Sequence, residues 1–330
     1  MPEILLLTES ELRACVRLDR CAIDLIADGF AALETDAVVM PPVLGMELPA
    51  VNGEVDVKTA YLPQLDTFTI KISPGFFDNP AKGLPSLNGL MVTFAADTGL
   101  LRAILLDNGY LTDLRTAAAG GVAARHLAPR DTRVAGVIGC GVQAELQLRA
   151  LQLERDLERA YVWARNPESA GRFAERQSHA LDLEVCVAPG IETLVAESQV
   201  VLTTTPAKSP LVRAEWLHPG LHITAMGADS PEKNELDPHI LTAADRVVTD
   251  RVSQSMERGE LRAALAQGVI DSTFRPDEIG AICSGAVSGR ESDAEITVCD
   301  LTGTGVQDTV IAEHAIRIAL QNQAGKTLST

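Results

Sequence analysis

Aromatic residues are scarce, at 4% of 330 positions, and basic residues are outnumbered, with 28 lysines and arginines against 45 aspartates and glutamates. The resulting formal charge of −17 repels phosphate backbones and anionic lipid, which excludes nucleic acid and membrane surfaces as partners. No apolar run approaches the ~20 residues of a membrane-spanning helix; the longest lies near Val134–Val142. The N-terminal string MPEILLLTESE has too short an apolar part, and flanks too acidic, for a secretory signal. Six cysteines, at 15, 21, 140, 186, 283 and 299, form no CxxC pair. They read as reduced thiols of a cytoplasmic protein rather than a disulfide framework. The six histidines form no HExxH motif, and no metal site is expected.

What remains is a globular composition, 46% apolar and 22% charged. The length suits about two domains and buries a core without staples. Thr8 and Glu11 are spaced as a capping box ahead of Leu12, Cys15 and Val16, so the first segment is expected to be helical. Asp19 opens a second helix whose apolar stripe is Ile23, Ile26, Ala27, Phe30 and Leu33. Pro41-Pro42 ends it. Residues 54–107 alternate as strands: Glu54–Tyr61, Thr67–Ser73, Leu90–Ala95 and Arg102–Asp107. Val55, Val57 and Thr59 oppose Asp56 and Lys58, while Phe68, Ile70 and Ile72 oppose Thr69, Lys71 and Ser73. The Pro- and Gly-dense string PGFFDNPAKGLPSLNG between them is a long ordered loop.

The pattern changes after Asp107-Asn108-Gly109. A small-residue helix is expected from Thr112, as N-cap, to Leu127. Apolar strands then alternate with helices: Arg133–Gly139, Ala160–Ala164, Glu184–Val187, Val200–Thr204, His222–Met226, Arg246–Thr249 and Thr297–Leu301. Buried strands alternating with helices imply a parallel doubly wound sheet. The last helix, Gln307–Leu320, is placed by its position to return to the first domain.

The sharpest motif is RVAGVIGCGVQAE at 133–145. A strand runs into Gly139-x-Gly141-x-x-Ala144, and a helix follows. Gly139 permits the turn, Gly141 lets backbone approach a pyrophosphate, and Ala144 lets helix and strand pack. The helix N-terminus, at Val142 and Gln143, offers amide donors. A glycine turn with no ligand is the bland alternative. After the next strand stands Arg165, where an NAD site usually places an acid for the ribose hydroxyl. An arginine there pairs with a 2′-phosphate, so NADP(H) is favoured, with NAD(H) the other option. Alternatively Arg165 is a surface loop residue and Asn166 caps the helix beginning at Pro167.

A few charges lie where folding does not require them. Lys58 and Lys71 project the same way if their strands pair; the alternative for Lys58 is a solvated strand face. Arg115, read as the third position of a helix, opposes the helix dipole, which an anion-binding role explains. Asp229 and Lys233 stand four apart in MGADSPEKNELD, beyond the carboxyl end of a strand where open sheets bind ligands. They read either as a carboxylate facing a nicotinamide or as an N-cap with a surface ion pair.

The strings TIKIS…NP…GLPS, LTDLRTAAAG, VIGCGVQA and MGAD…EKNELD, in this order, resemble the ornithine cyclodeaminase/mu-crystallin family over nearly the whole chain. The resemblance implies a Rossmann-type doubly wound parallel sheet plus a smaller α+β domain. It divides the chain into 1–112 with 306–330 for substrate binding and dimerisation, and 113–305 for the dinucleotide. It implies chemistry at the C–N bond of small amino, imino or keto acids, and a homodimer. Lys71 and Arg115 are thereby expected to bind a substrate carboxylate, with Lys71 at the reacting centre. Asp229 is expected as the catalytic acid/base, with Lys233 supporting it. Thr116, Thr204, Thr205, Met226 and Gly227 are expected to line the cofactor beside Gly139, Gly141, Val142, Gln143, Arg165 and Asn166.

One departure stands out: relatives carry an arginine after the prolines of MPPVLGMELP, and this chain has Val43. Lys58 is the candidate replacement, and ornithine cyclisation is put in doubt. The cassette DVKTAYLP…KISPGFFDNPAKGLPSLNGLM also resembles the subgroup associated with ectoine and hydroxyectoine breakdown, which implies an imine reductase for small cyclic or diamino-acid imines. A cyclodeaminase of ornithine or a related diamino acid, a non-catalytic NADPH-dependent ligand-binding protein and a dinucleotide sensor are the alternatives. Retention of Lys71, Arg115 and Asp229 together favours chemistry, because a pure binder has no use for the acid.

Overall fold

The computed structural model describes residues 3–35 and 37–329. Met1 and Pro2 of the N-terminal string, with Asp36 and Thr330, lie outside them. The chain opens with β1 (Glu3–Thr8), α1 (Glu9–Cys15), α2 (Arg20–Ala32), β2 (Leu44–Leu48), β3 (Gly53–Ala60), β4 (Thr67–Phe76), β5 (Leu90–Ala95), β6 (Leu101–Leu106) and α3 (Tyr110–Leu127). It continues with β7 (Val134–Ile138), α4 (Val142–Glu154), β8 (Arg159–Trp163), α5 (Pro167–Leu181), β9 (Glu184–Val187), α6 (Ile191–Ala196), β10 (Val200–Thr203) and β11 (His222–Ala225). Next come α7 (Ile240–Ala243), β12 (Arg246–Thr249), α8 (Val252–Arg258), α9 (Glu260–Ala266), β13 (Asp277–Glu278), α10 (Ile279–Cys283) and β14 (Thr297–Asp300), and the chain closes with α11 (Gly305–Gln321) and β15 (Lys326–Ser329). Two compact units result: Met1–Arg115 with Thr304–Thr330, and Thr116–Gly303. The division falls inside α3.

The first unit is built on a seven-stranded sheet in the order β15-β1-β6-β5-β4-β3-β2. Thr8 N donates to Glu11 Oε2 at 2.8 Å, so the capping box forms at the start of α1. Ala22 N donates to Asp19 Oδ1 at 2.9 Å, and Ile23, Ile26 and Phe30 of α2 are fully buried. The residues before the capping box form a strand rather than part of a helix, with Leu5 and Leu7 buried between parallel β6 and antiparallel β15.

The faces of β3 to β5 run against the hydrophobic pattern. Lys58, Lys71, Met91 and Leu105 form one row across four strands, and all four are buried. So are Ala60, Thr69, Thr93 and Ala103 in the next row. α11 packs on this side, against β3, β4 and α2. The opposite face carries Leu44, Val57, Ile72 and Leu90 in register, then Ile70, Val92 and Ile104. Phe68 stacks on Phe94 there at 5.5 Å. The polar positions of the alternation are thus the inward ones, and Lys58 does not lie on a solvated face.

The second unit is an eight-stranded sheet in the order β13-β12-β14-β11-β10-β7-β8-β9, with every pairing parallel. Its central strands are buried along their whole length. That explains why they read as continuous apolar runs: parallel strands are covered on both faces. The order reverses between β7 and β10, the switch point at which doubly wound sheets bind ligands. Arg155 and Arg290 close the carboxyl end of α3. Arg155 donates to the carbonyls of Ala124, Ala128 and Pro129, and Arg290 donates to that of Leu127. Among the described residues no helix is long and apolar enough to cross a membrane.

Candidate functional site

In the first unit, three basic side chains and two acids share the inward face. Lys71 on β4 is 2% exposed and Arg115 on α3 is 5% exposed. Between them stands Asp308, fully buried in the first turn of α11. Lys71 Nζ lies 3.2 Å from Asp308 Oδ2, and Arg115 Nε lies 3.0 Å from Asp308 Oδ1. Lys58 pairs directly across β3 and β4 with Lys71. Burial and the neighbouring Arg115 cation lower the Lys71 ammonium to about 7, against the opposing pull of Asp308. A buried amine of this kind exchanges a proton near neutral pH.

Arg115 is the sixth residue of α3, not the third, because α3 begins at Tyr110 rather than after Thr112. The cap comes from Asp107: its Oδ2 accepts from Leu111 N at 2.9 Å. Asp107 is itself buried at 1% exposure, and burial raises its pKa. Sequence reasoning missed both acids. Asp107 reads as the end of a strand before Asn108-Gly109, and Asp308 reads as an ordinary acid in the first turn of a helix.

In the second unit, the glycine loop has the geometry a pyrophosphate needs. Gly139 has φ +122°, a backbone state favouring glycine. A Cβ there would meet Thr204 Oγ1 at 2.4 Å, whereas one on Gly141 would meet nothing within 4 Å. α4 starts at Val142 with no side-chain cap on its first amides, and Ala144 is fully buried. Val142 is exposed, and Gln143 lies in the same first turn. Thr116 O accepts from Gln147 Nε2 at 3.0 Å, which ties α3 to α4. Arg165 and Asn166 are exposed just beyond β8. Asn166 caps α5 by accepting from Ser169 N at 3.1 Å.

Beyond β10, Thr204 Oγ1 donates to Ile138 O at 3.1 Å, which keeps it against the strand that carries the glycine loop. Beyond β11 run Met226, Gly227 and Asp229. Lys233 Nζ reaches Asp229 Oδ1 at 2.6 Å, with side-chain exposures of 10% and 46% respectively. The pair is therefore neither a surface bridge nor a fully sealed one: the cation is withdrawn and its carboxylate remains accessible. His218 and His222 stand four apart, across Pro219 and Gly220, yet they do not converge on a common point. His218 Nε2 meets the carbonyls of Val195 and Ser198, and His222 is held between Thr297 and Thr224 hydroxyls at 2.8 and 2.9 Å. Among the described residues no group of three or more histidine, cysteine or acidic side chains is placed to hold a metal ion.

The sequence profile of the ornithine cyclodeaminase/mu-crystallin family matches residues 3–321. The chain belongs to this family. An uncharacterised cyclodeaminase of Sinorhizobium fredii is 48% identical over 326 residues, 98% of each chain. An alanine dehydrogenase of Archaeoglobus fulgidus is 35% identical over 329 residues, 99% of this chain and 98% of that one. Among solved structures, the Thermococcus litoralis Δ1-pyrroline-2-carboxylate reductase in complex with NADH and L-proline superposes with a TM-score of 0.92 at 29% identity. That match covers 98% of this chain and 99% of the other. Against this ornithine cyclodeaminase/mu-crystallin background, Val43 lies just ahead of β2 and is half-buried. It brings no charge to the first unit.

Proposed function

We propose that the protein is an NAD(P)H-dependent oxidoreductase acting on the C–N bond of a small amino or imino acid, and that it works as an imine reductase. The observation that carries this reading is the buried pair of cations, Lys71 and Arg115, held on either side of Asp308 in a chain whose other unit carries the dinucleotide loop. The buried cations Lys58, Lys71 and Arg115 outnumber the buried acids Asp308 and Asp107. An incoming carboxylate supplies the missing anion through charge-assisted hydrogen bonds. Lys58, in register beside Lys71, adds a third cation in place of the arginine absent at Val43.

The open approach at Gly141, the left-handed turn at Gly139 and the uncapped amides of α4 suit a dinucleotide pyrophosphate. When bound, the dinucleotide supplies or accepts the hydride. Lys71 and Arg115 fix the substrate carboxylate, and with it the direction in which the C=N carbon points. Asp229 holds the proton at the reacting nitrogen, and Lys233 orients its carboxylate. Lys71, lowered to about 7, also takes part in proton exchange. Thr116, Val142, Gln143, Asn166, Thr204, Thr205, Met226 and Gly227 line the dinucleotide. Arg165, exposed beyond β8, pairs with a 2′-phosphate and favours NADP(H). On this reading the first unit, which includes Arg115, carries the substrate clamp, and the second unit binds the dinucleotide. The protein is a cytoplasmic homodimer joined through the outer face of the first sheet.

The cassette around Lys58 and Lys71 supports a substrate formed in ectoine or hydroxyectoine breakdown, a small cyclic or diamino-acid imine. A second reading is favoured by the 48% identical cyclodeaminase: loss of ammonia from ornithine or a related diamino acid. Val43 weighs against it. A screen of NADPH and NADH oxidation over cyclic and acyclic imino acids, with ornithine deamination in parallel, decides. Imine-dependent oxidation supports the reductase. Ammonia release without net change in cofactor supports the cyclodeaminase, and neither activity sinks both.

A further inference from the structure

Glu235 lies in the loop beyond β11 and is fully buried, its carboxylate held by hydroxyls and backbone amides. Its Oε1 accepts from Thr205 N at 2.6 Å and Thr205 Oγ1 at 2.7 Å. Its Oε2 accepts from Thr203 Oγ1 at 2.7 Å and Gly227 N at 2.8 Å. One carboxylate therefore joins the segment after β10 to the segment after β11. The two are so close that a Cβ on Gly227 would stand 2.1 Å from Thr205 O and 2.5 Å from Glu235 Oε2. On the other side Thr204 packs against Gly139. The backbone from Gly139 through Thr204 and Thr205 to Gly227 is thus one continuous surface across the carboxyl ends of β7, β10 and β11.

Glu235 is itself held in place. Its N–H donates to Glu260 Oε1 at 2.8 Å, and Leu236 N donates to Glu260 Oε2 at 3.2 Å. Leu211 N and Val212 N donate to its carbonyl at 2.7 and 3.1 Å. Glu260 N in turn donates to Asp300 Oδ2 at 2.9 Å, at the end of β14. Three buried acids each receive the backbone of a neighbouring segment. Burying carboxylates is expensive. A loop closure needing only cohesion is served at less cost by neutral or apolar contacts.

We propose that Glu235 is the positioning residue for the nicotinamide half of the dinucleotide, fixing Thr204, Thr205 and Gly227 as the floor on which that half rests. The proposal builds on the reading of the second unit as a dinucleotide site. In a doubly wound sheet the pyrophosphate sits at the glycine loop on the first strand. The adenine half would then lie toward β8 and β9, and the nicotinamide half over β10 and β11, the ends that Glu235 joins. Glu235 touches neither half; it acts through the threonines and the glycine.

The isosteric change Glu235→Gln tests it. Both carboxylate oxygens accept from a backbone N–H, so the amide nitrogen opposes a donor in either orientation. Calorimetric titration of the full chain compares NADH with ADP-ribose, and NADPH with 2′-phospho-ADP-ribose. The truncated ligands keep the adenine half and lack the nicotinamide. The expected result is a Kd at least tenfold weaker for the whole dinucleotide and a change under twofold for the truncated ligand. Thr203→Val, which removes one donor to Oε2 and keeps the side-chain shape, is expected to show the same selectivity at about threefold. It serves as the test if the glutamine variant does not fold. Equal weakening of whole and truncated ligands, or no weakening of either, overturns the positioning role. A wild-type chain that binds none of the four ligands overturns the dinucleotide reading itself, so the two failures are distinguishable.

Discussion

Asp308 on α11 meets Lys71 on β4 at 3.2 Å, with the two side chains 0% and 2% exposed. The acid holds its partner's charge in place against burial and against Arg115, which together bring the Lys71 ammonium down to about 7. A cationic Lys71 binds a carboxylate and a neutral one does not. kcat/KM for the anionic substrate is therefore expected to fall as pH rises through about 7. Asp308→Asn removes the group that favours the charged form, so the same limb should move to lower pH. A pH–rate profile on both proteins checks this; an unmoved limb in the variant assigns the titration to another group.

The clamp itself is tested by Lys71→Ala and Arg115→Ala. Each is expected to lower kcat/KM at least tenfold, about 1.4 kcal/mol, near the low end for a hydrogen bond to a charged group. Lys58→Met keeps most of the stem and removes the charge. It should lower kcat/KM with little change in melting temperature if Lys58 takes over from the missing arginine. Steady-state kinetics and thermal melts on the three variants give the answer, and unimpaired turnover in all of them removes the clamp.

The second unit was largely readable because its strands are sealed on both sides and punctuated by a glycine turn, features that depend on neighbours close in sequence. The first unit was not. Lys58 and Lys71 sit on the alternation's polar face, which a sequence pattern assigns to water; the packing of α11 makes it the inside. Asp308 joins Lys71 and Arg115 only through the return of the chain's last helix, so nothing beside it in sequence marks it. Glu235 was hidden inside the family string that drew attention to Asp229 and Lys233, its role visible only once the segments after β10 and β11 stood side by side. β1 and β15 were missed for different reasons. The leucines of β1 run straight into a capping box, and Lys326–Ser329 is an exposed polar edge with no apolar alternation to read.

The proposed NADP(H) preference rests on Arg165, exposed beyond β8. NADPH is expected to bind more tightly than NADH, and Arg165→Ala to weaken NADPH selectively. Dissociation constants for both cofactors, by calorimetry, check it. Equal values in the wild type return Arg165 to the role of a surface residue.

His222 makes a prediction about stability. Buried between Thr224 and Thr297, it is lowered from 6.5 to about 3, chiefly by burial and then by Arg290. Between these values the unfolded chain binds a proton that the folded chain refuses. The neutral imidazole's contribution is complete above pH 6.5 and is lost as pH falls toward 3, by up to about 1.4 kcal/mol per pH unit. Buried acids such as Asp300, raised to about 7, pull in the opposite direction, so the comparison must be against a variant. Denaturant unfolding of wild type and His222→Gln between pH 5 and 8 should show a gap in stability that depends on pH, with the variant the less acid-sensitive. Parallel curves count against the assignment.

The outer face of the first sheet carries Leu44, Val57, Ile72 and Leu90 in one row, then Ile70, Val92 and Ile104 in the next, with Phe68 on Phe94. Leu44 is 68% exposed, Met46 52% and Ile72 36%. A contiguous apolar surface of this kind marks an interaction site, and the other face of the same strands is already occupied by α11. A second copy of the chain, presenting the same rows, is the partner this face suits: strands offering apolar residues at every second position pack face to face. Light scattering should then give about 70 kDa for the wild type, twice the 35.1 kDa chain. Val92→Asp puts a charge in the centre of the face and leaves the buried row of Lys71 and Met91 untouched. It is expected to yield a monomer at micromolar concentration with its secondary structure retained. A wild-type monomer, or a Val92→Asp variant that remains a dimer, moves the interface elsewhere.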